Sequence, residues 1–138
     1  MADEITISGS INIANSPLDY NSSPISFSAD MTGRKGPTPG AVTVTTSGTV
    51  ISLAQLTTPG ICFIQNLDET NYVQYGIYDT TSSTFFPLGE LLAGEFTILR
   101  LARDIGAEWL GTGTNVGNSL YFKANTASVV VRVDCFEN

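Results

Sequence analysis

Strict two-residue alternation is the feature that most narrows what this chain can fold into. In residues 5–13, ITISGSINI, the side chains of Ile5, Ile7, Ile11 and Ile13 fall on one side, with Thr6, Ser8, Ser10 and Asn12 on the other. Near the opposite end, Val129, Val131, Val133 and Cys135 alternate with Val130, Arg132, Asp134 and Phe136. A period of two puts successive side chains on opposite faces of a pleated strand; a helix would repeat its apolar positions every three or four residues. The same reading extends to Ile25, Phe27, Ala29 and Met31, to Val73, Tyr75 and Ile77, and to Thr97, Leu99 and Leu101. Turn-forming clusters separate these runs, and some eight to nine short strands spaced ten to twelve residues apart are expected. That is the pattern of an all-β protein, an antiparallel β-sandwich or jelly-roll-like single domain with an extended N-terminal segment.

Composition agrees. The chain has 138 residues, 42% hydrophobic and only 14% charged, enough for one domain with a core of its own. Thr, Val, Ser, Asn and Gly dominate where a helical surface would carry Lys, Glu and Gln. Residues 32–40, TGRKGPTPG, hold three glycines, two prolines and the basic pair Arg34-Lys35, and read as a linker. The chain is therefore divided into residues 1–40, a β arm with its linker, and residues 41–138, the sandwich. Two readings of the first segment stand side by side: strands of the same sandwich joined by a long loop, or an arm docking on a neighbouring subunit. Residues 14–24, with Pro17 and Pro24, read as a loop. Residues 41–53 read as a hairpin through Ser47-Gly48, and residues 120–136 as a second hairpin through Thr126-Ala127.

Charge and residue types exclude several functions. A net charge of −7, with six basic residues, disfavours nucleic acid, whose phosphates demand clustered Lys and Arg. No apolar run is long enough for a helix to cross a bilayer, and the acidic start lacks the pattern of a signal peptide; neither membrane nor secretion is expected. The chain has no histidine, which removes the commonest general base and metal ligand. Cys62 and Cys135 lie in apolar runs and read as buried thiols; their strands could be neighbours, and whether the geometry permits a disulfide is left open by the sequence. Asn66, Asp68 and Thr70 have the alternate spacing of a calcium loop, but without its glycine turn and distal glutamate, so an Asx turn explains them more simply. No catalytic, cofactor or metal residues are assigned. Interface candidates are Ile5, Ile7, Ile11, Ile13 and Phe27 on the N-terminal segment, with Tyr72, Tyr78 and Trp109 as aromatic anchors for a protein surface or a sugar ring.

Three turn motifs carry a resemblance. Residues 66–73, NLDETNYV, precede a strand bearing a glycine. Gly94-Glu95 leads into the strand that holds Arg100, and residues 123–127, KANTA, lead into the last strand. With the Ile-alternating N-terminal segment, the chain resembles small β-rich structural proteins of tailed bacteriophage virions, chiefly over its C-terminal half. The resemblance implies a virion component present in many symmetric copies. Together with the Ile-faced strands before the Gly/Pro linker, it leads to the expectation of a capsid decoration or cement protein, a homo-oligomer taken as a trimer, docking on the major capsid protein or another virion protein. It would be made in the host cytoplasm and carried in the virion. A tail, adaptor or fibre component is the alternative within that class, and a carbohydrate-binding module the alternative outside it. An enzyme is not expected.

Overall fold

The computed structural model describes residues 4–31, 33, 35–79, 81–102 and 119–137. Regular structure among them is strand throughout, in two compact units, Met1–Thr32 and Gly33–Asn138.

The first unit is a two-stranded ribbon. β1 (Ile5–Gly9) pairs antiparallel with β4 (Ile25–Ala29), and β2 (Asn12–Asn15) with β3 (Leu18–Asn21). Between the two pairs the register slips by one residue, where the Ser22 amide donates to the Ile11 carbonyl and the Ile11 amide to Ser22 Oγ. Residues 14–24, expected as a loop, thus contain the end of β2, a tight turn and the whole of β3. The prolines mark the turn and the slip, and leave Leu18–Asn21 free to pair.

The second unit is a sandwich of eight strands: β5 (Thr38–Val44), β6 (Thr49–Ser52), β7 (Pro59–Asn66), β8 (Val73–Asp79), β9 (Thr84–Leu91), β10 (Phe96–Arg100), β11 (Ser119–Ala124) and β12 (Val129–Glu137). One sheet has the order β10-β7-β12-β5 and the other β6-β11-β8-β9, with every pair antiparallel. Consecutive strands alternate between the sheets except β8 and β9, which pair within one sheet; this is the order of a jelly roll. Neither expected hairpin forms. β5 and β6 lie in different sheets, as do β11 and β12, so Ser47-Gly48 and Thr126-Ala127 are arches between layers. Alternation dictates which side chains turn inward; it does not say which strand lies alongside. One further boundary differs: Thr38–Gly40, expected in the linker, begin β5. Residues 84–91 form a strand that includes Pro87. β9 is an edge strand, where a missing amide costs no ladder bond, and its bulge at Leu88 also blunts that edge.

The core lies between the sheets. Val44, Ile64, Val129, Val131 and Val133 from one sheet meet Ile51, Val73, Leu120 and Phe122 from the other, all buried. The even spacing seen in the sequence is what brings them there. Cys62 and Cys135 are direct partners in the β7–β12 ladder, with Cα atoms 4.1 Å apart, and form a disulfide. The expectation of two free thiols is therefore corrected: residues 73 apart in sequence become neighbours only because the jelly roll inserts β12 beside β7.

Candidate functional site

The N-terminal ribbon has an apolar side and a polar side. Register places Ile5 opposite Ala29, Ile7 opposite Phe27, and Gly9 opposite Ile25; beyond the slip it places Ile13 opposite Tyr20 and Asn15 opposite Leu18. Thr6 and Ser8 face Ser28 and Ser26 on the other side. Six large apolar side chains stand exposed: Ile11, Ile13, Leu18, Tyr20, Ile25 and Phe27, with Ile25 at 73% and Ile11 at 61%. Ile5 and Ile7 are half-buried. Two strands have no second layer of their own, and an apolar patch of this extent marks an interaction surface. All five N-terminal candidates, Ile5, Ile7, Ile11, Ile13 and Phe27, are brought together on the ribbon. Leu18, Tyr20 and Ile25 join them and were not singled out. Leu18 and Tyr20 alternate around Asp19, a signal hidden by the flanking prolines.

A second apolar surface lies on the outer face of the β10-β7-β12-β5 sheet. Outward-pointing residues form rows across the strands, with Phe96, Gln65, Arg132 and Ala41 in one row and Ile98, Phe63, Asp134 and Pro39 in the next. The rings of Phe63 and Phe96 stack with centroids 5.5 Å apart, and the Arg132 guanidinium lies 5.5 Å from the centre of the Phe63 ring. Arg132 Nε donates to Asp134 Oδ2 at 2.6 Å. Phe96, Ile98, Val130 and Leu67 are exposed, Phe96 at 60%. A stacked aromatic pair flanked by a guanidinium held in place has the composition of a protein–protein contact centre. The sequence contained this face as the second half of each alternation, Phe96, Ile98 and Arg100 against Thr97, Leu99 and Leu101. Nothing in a single strand shows that Phe63 and Phe96 end up side by side.

The aromatic candidates fare differently. Tyr78 stacks on Tyr121 with centroids 4.6 Å apart, and Phe85 leans on Tyr121 at 5.1 Å. Each ring thus turns a face to a neighbour and withholds that area from a sugar. The Tyr121 hydroxyl donates to the Ser47 carbonyl, and burial, with Tyr78 alongside, raises its pKa. Tyr72 is half-buried just before β8, its carbonyl accepting from the Asn125 amide. Trp109 lies outside the described residues.

The three quoted turn motifs meet at one end of the sandwich. Asn66 is fully buried; its Nδ2 donates to the carbonyls of Asn71, Leu91 and Leu92, and its Oδ1 accepts from the Asp68 amide. Thr126 Oγ1 donates to Asn71 Oδ1. Asp68 Oδ1 accepts the amides of Asn71 and Thr70, at 2.6 and 2.9 Å, and these hold its carboxyl below the usual 3.8. The residues with calcium-like spacing are thus occupied in closing the turn. Among the described residues, no group of three or more His, Cys, Asp or Glu is positioned to hold a metal ion. An open cleft of about 480 Å³ between β9 and β10, lined by Tyr75, Glu90, Leu91, Gly94, Glu95, Phe96 and Thr97, has two carboxylates at its rim. Glu90 accepts from Gln74 Nε2 and Glu95 from the Leu92 amide, which are structural tasks. The described surface includes these two apolar faces, which suit macromolecular contact. No family model, curated protein or solved structure matches this chain.

Proposed function

We propose that this chain is a structural protein of a tailed-phage virion, a decoration or cement protein that self-associates and docks on the capsid shell. The observation that carries the reading is the N-terminal ribbon, which exposes six large apolar side chains that two strands cannot cover themselves. Support for the virion setting is the resemblance in three turn motifs, which the fold joins into one network at one end of the sandwich. The jelly roll serves both viral shells and lectins, so the architecture permits the role by analogy only. Partners are further copies of the chain, as a trimer, and the major capsid protein; the role needs no catalytic group or cofactor.

The test is the copy number of this chain in purified particles of the phage that encodes it, by quantitative mass spectrometry against the major capsid protein. Decoration requires a number comparable to that protein. A small fraction of it moves the chain to the tail, an adaptor or a fibre. Absence from the particle overturns the virion reading and returns sugar binding to the front.

A further inference from the structure

The proposed role leaves open what the ribbon grips. We infer that its apolar side docks on the outer face of the β10-β7-β12-β5 sheet of a second copy, so that copies join head to tail. This inference deepens the assembly reading, and its test needs only the purified chain, so its failure leaves docking on a capsid shell untouched.

Three observations select this occupant. The first is area. Six large apolar side chains, each at least 40% exposed, present on the order of 600 Å², close to the roughly 800 Å² per partner of a standard interface. The second is the acceptor. The outer sheet face offers Phe96, Ile98, Val130 and Leu67 exposed around Phe63, and laying the ribbon over it adds a third layer, just as sheets stack elsewhere.

The third is charge. Residues 1–32 contain Asp3, Glu4, Asp19 and Asp30 and no Lys or Arg, so they carry −4 of the chain's −7. Ribbon against ribbon would oppose like charges. On the central strands of the acceptor sheet the outward charges are Arg132 and Asp134, which pair with each other, so this face opposes an acidic guest with no net like charge. Because the two surfaces differ, the contact is heterologous, and such contacts close into rings where the rotation permits.

Two double variants at exposed or half-exposed positions separate the possibilities: Ile25→Asp with Phe27→Asp on the ribbon, and Phe96→Asp with Ile98→Asp on the sheet. Masses are measured by light scattering and sedimentation from about 1 to 100 µM, with circular dichroism confirming that each variant keeps its strands. The expected result is an oligomer for the parent chain, with its association weakened at least 100-fold in either variant, leaving the 14.7 kDa monomer. Mixing the variants restores a one-to-one dimer through the one intact pair of faces. Val50→Asp, on the outer face of the other sheet, leaves association unchanged. A sheet variant that still oligomerises overturns the inference in favour of ribbon-to-ribbon contact. A parent chain monomeric throughout, or folded variants that fail to complement, overturns it outright.

Discussion

Asn66 shows how one side chain holds several turns. Buried at the end of β7, it satisfies three carbonyls and one amide contributed by the β7–β8 and β9–β10 connections. Asn66→Ala leaves those groups without partners and is expected to cost about 2–3 kcal/mol, read as a lower urea midpoint at unchanged slope. Asp68 adds a pH dependence whose sign follows from its hydrogen bonds. The amides of Asn71 and Thr70 hold its folded pKa below the ordinary 3.8, and the Ser82 hydroxyl with the Thr81 amide does the same for Asp79. The stability these carboxylates contribute is therefore complete above about pH 4–5 and lost as pH falls through the folded values. Tm is expected to be flat near neutrality and to decline below about pH 4. Asp68→Ala should lower Tm at pH 7 and make the acid decline shallower. At this scale the sequence was legible for Asp68, because an Asx turn is local chemistry. For Asn66 it showed only the local half, the bond from the Asp68 amide; the Nδ2 partners at Leu91 and Leu92 lie 25 and 26 residues away and left no signal.

At the scale of elements, the ribbon and the sandwich place different demands on the same alternating pattern. In β12 the alternation Val129, Val131, Val133 is buried against the facing sheet. The isoleucines of the first unit follow the same rule with only two strands between them. Ladder bonds cross-link the eight strands into two sheets of four, and the core cluster draws only on residues of the second unit. Removal of residues 1–32 is accordingly expected to leave the sandwich folded, with β-type circular dichroism and a single cooperative unfolding transition, while abolishing self-association. Loss of that transition would place the ribbon in the folding core and end its role as a separable arm. The ribbon was half legible. Ile5 to Ile13 and Ile25 to Phe27 declared their faces, whereas β3 was masked by Pro17 and Pro24, which read as loop signals although they only bracket the strand.

For the whole molecule, the disulfide is the feature least visible in advance and easiest to measure. It joins the two central strands of one sheet across 73 residues. In the chain-entropy account, a loop of that length stabilises the fold by about 4 kcal/mol. Denatured but unreduced protein should show no titratable thiol, and reduction or the Cys62→Ser, Cys135→Ser pair should lower unfolding free energy by up to about that amount. Two thiols reacting without reductant would contradict the pairing. The sequence by itself determined that the protein is all-β, which residues turn inward in the strands with clear alternation, and that an isoleucine-faced segment precedes the sandwich. Those properties follow from the two-residue period of the strand, a local consequence of backbone geometry. Only the tertiary structure decided the β10-β7-β12-β5 and β6-β11-β8-β9 orders, the Cys62–Cys135 bond, and the placing of Phe63, Phe96 and Arg132 on one outer face. Each of these depends on which distant strands lie side by side, and a pattern of period two is equally compatible with any neighbour.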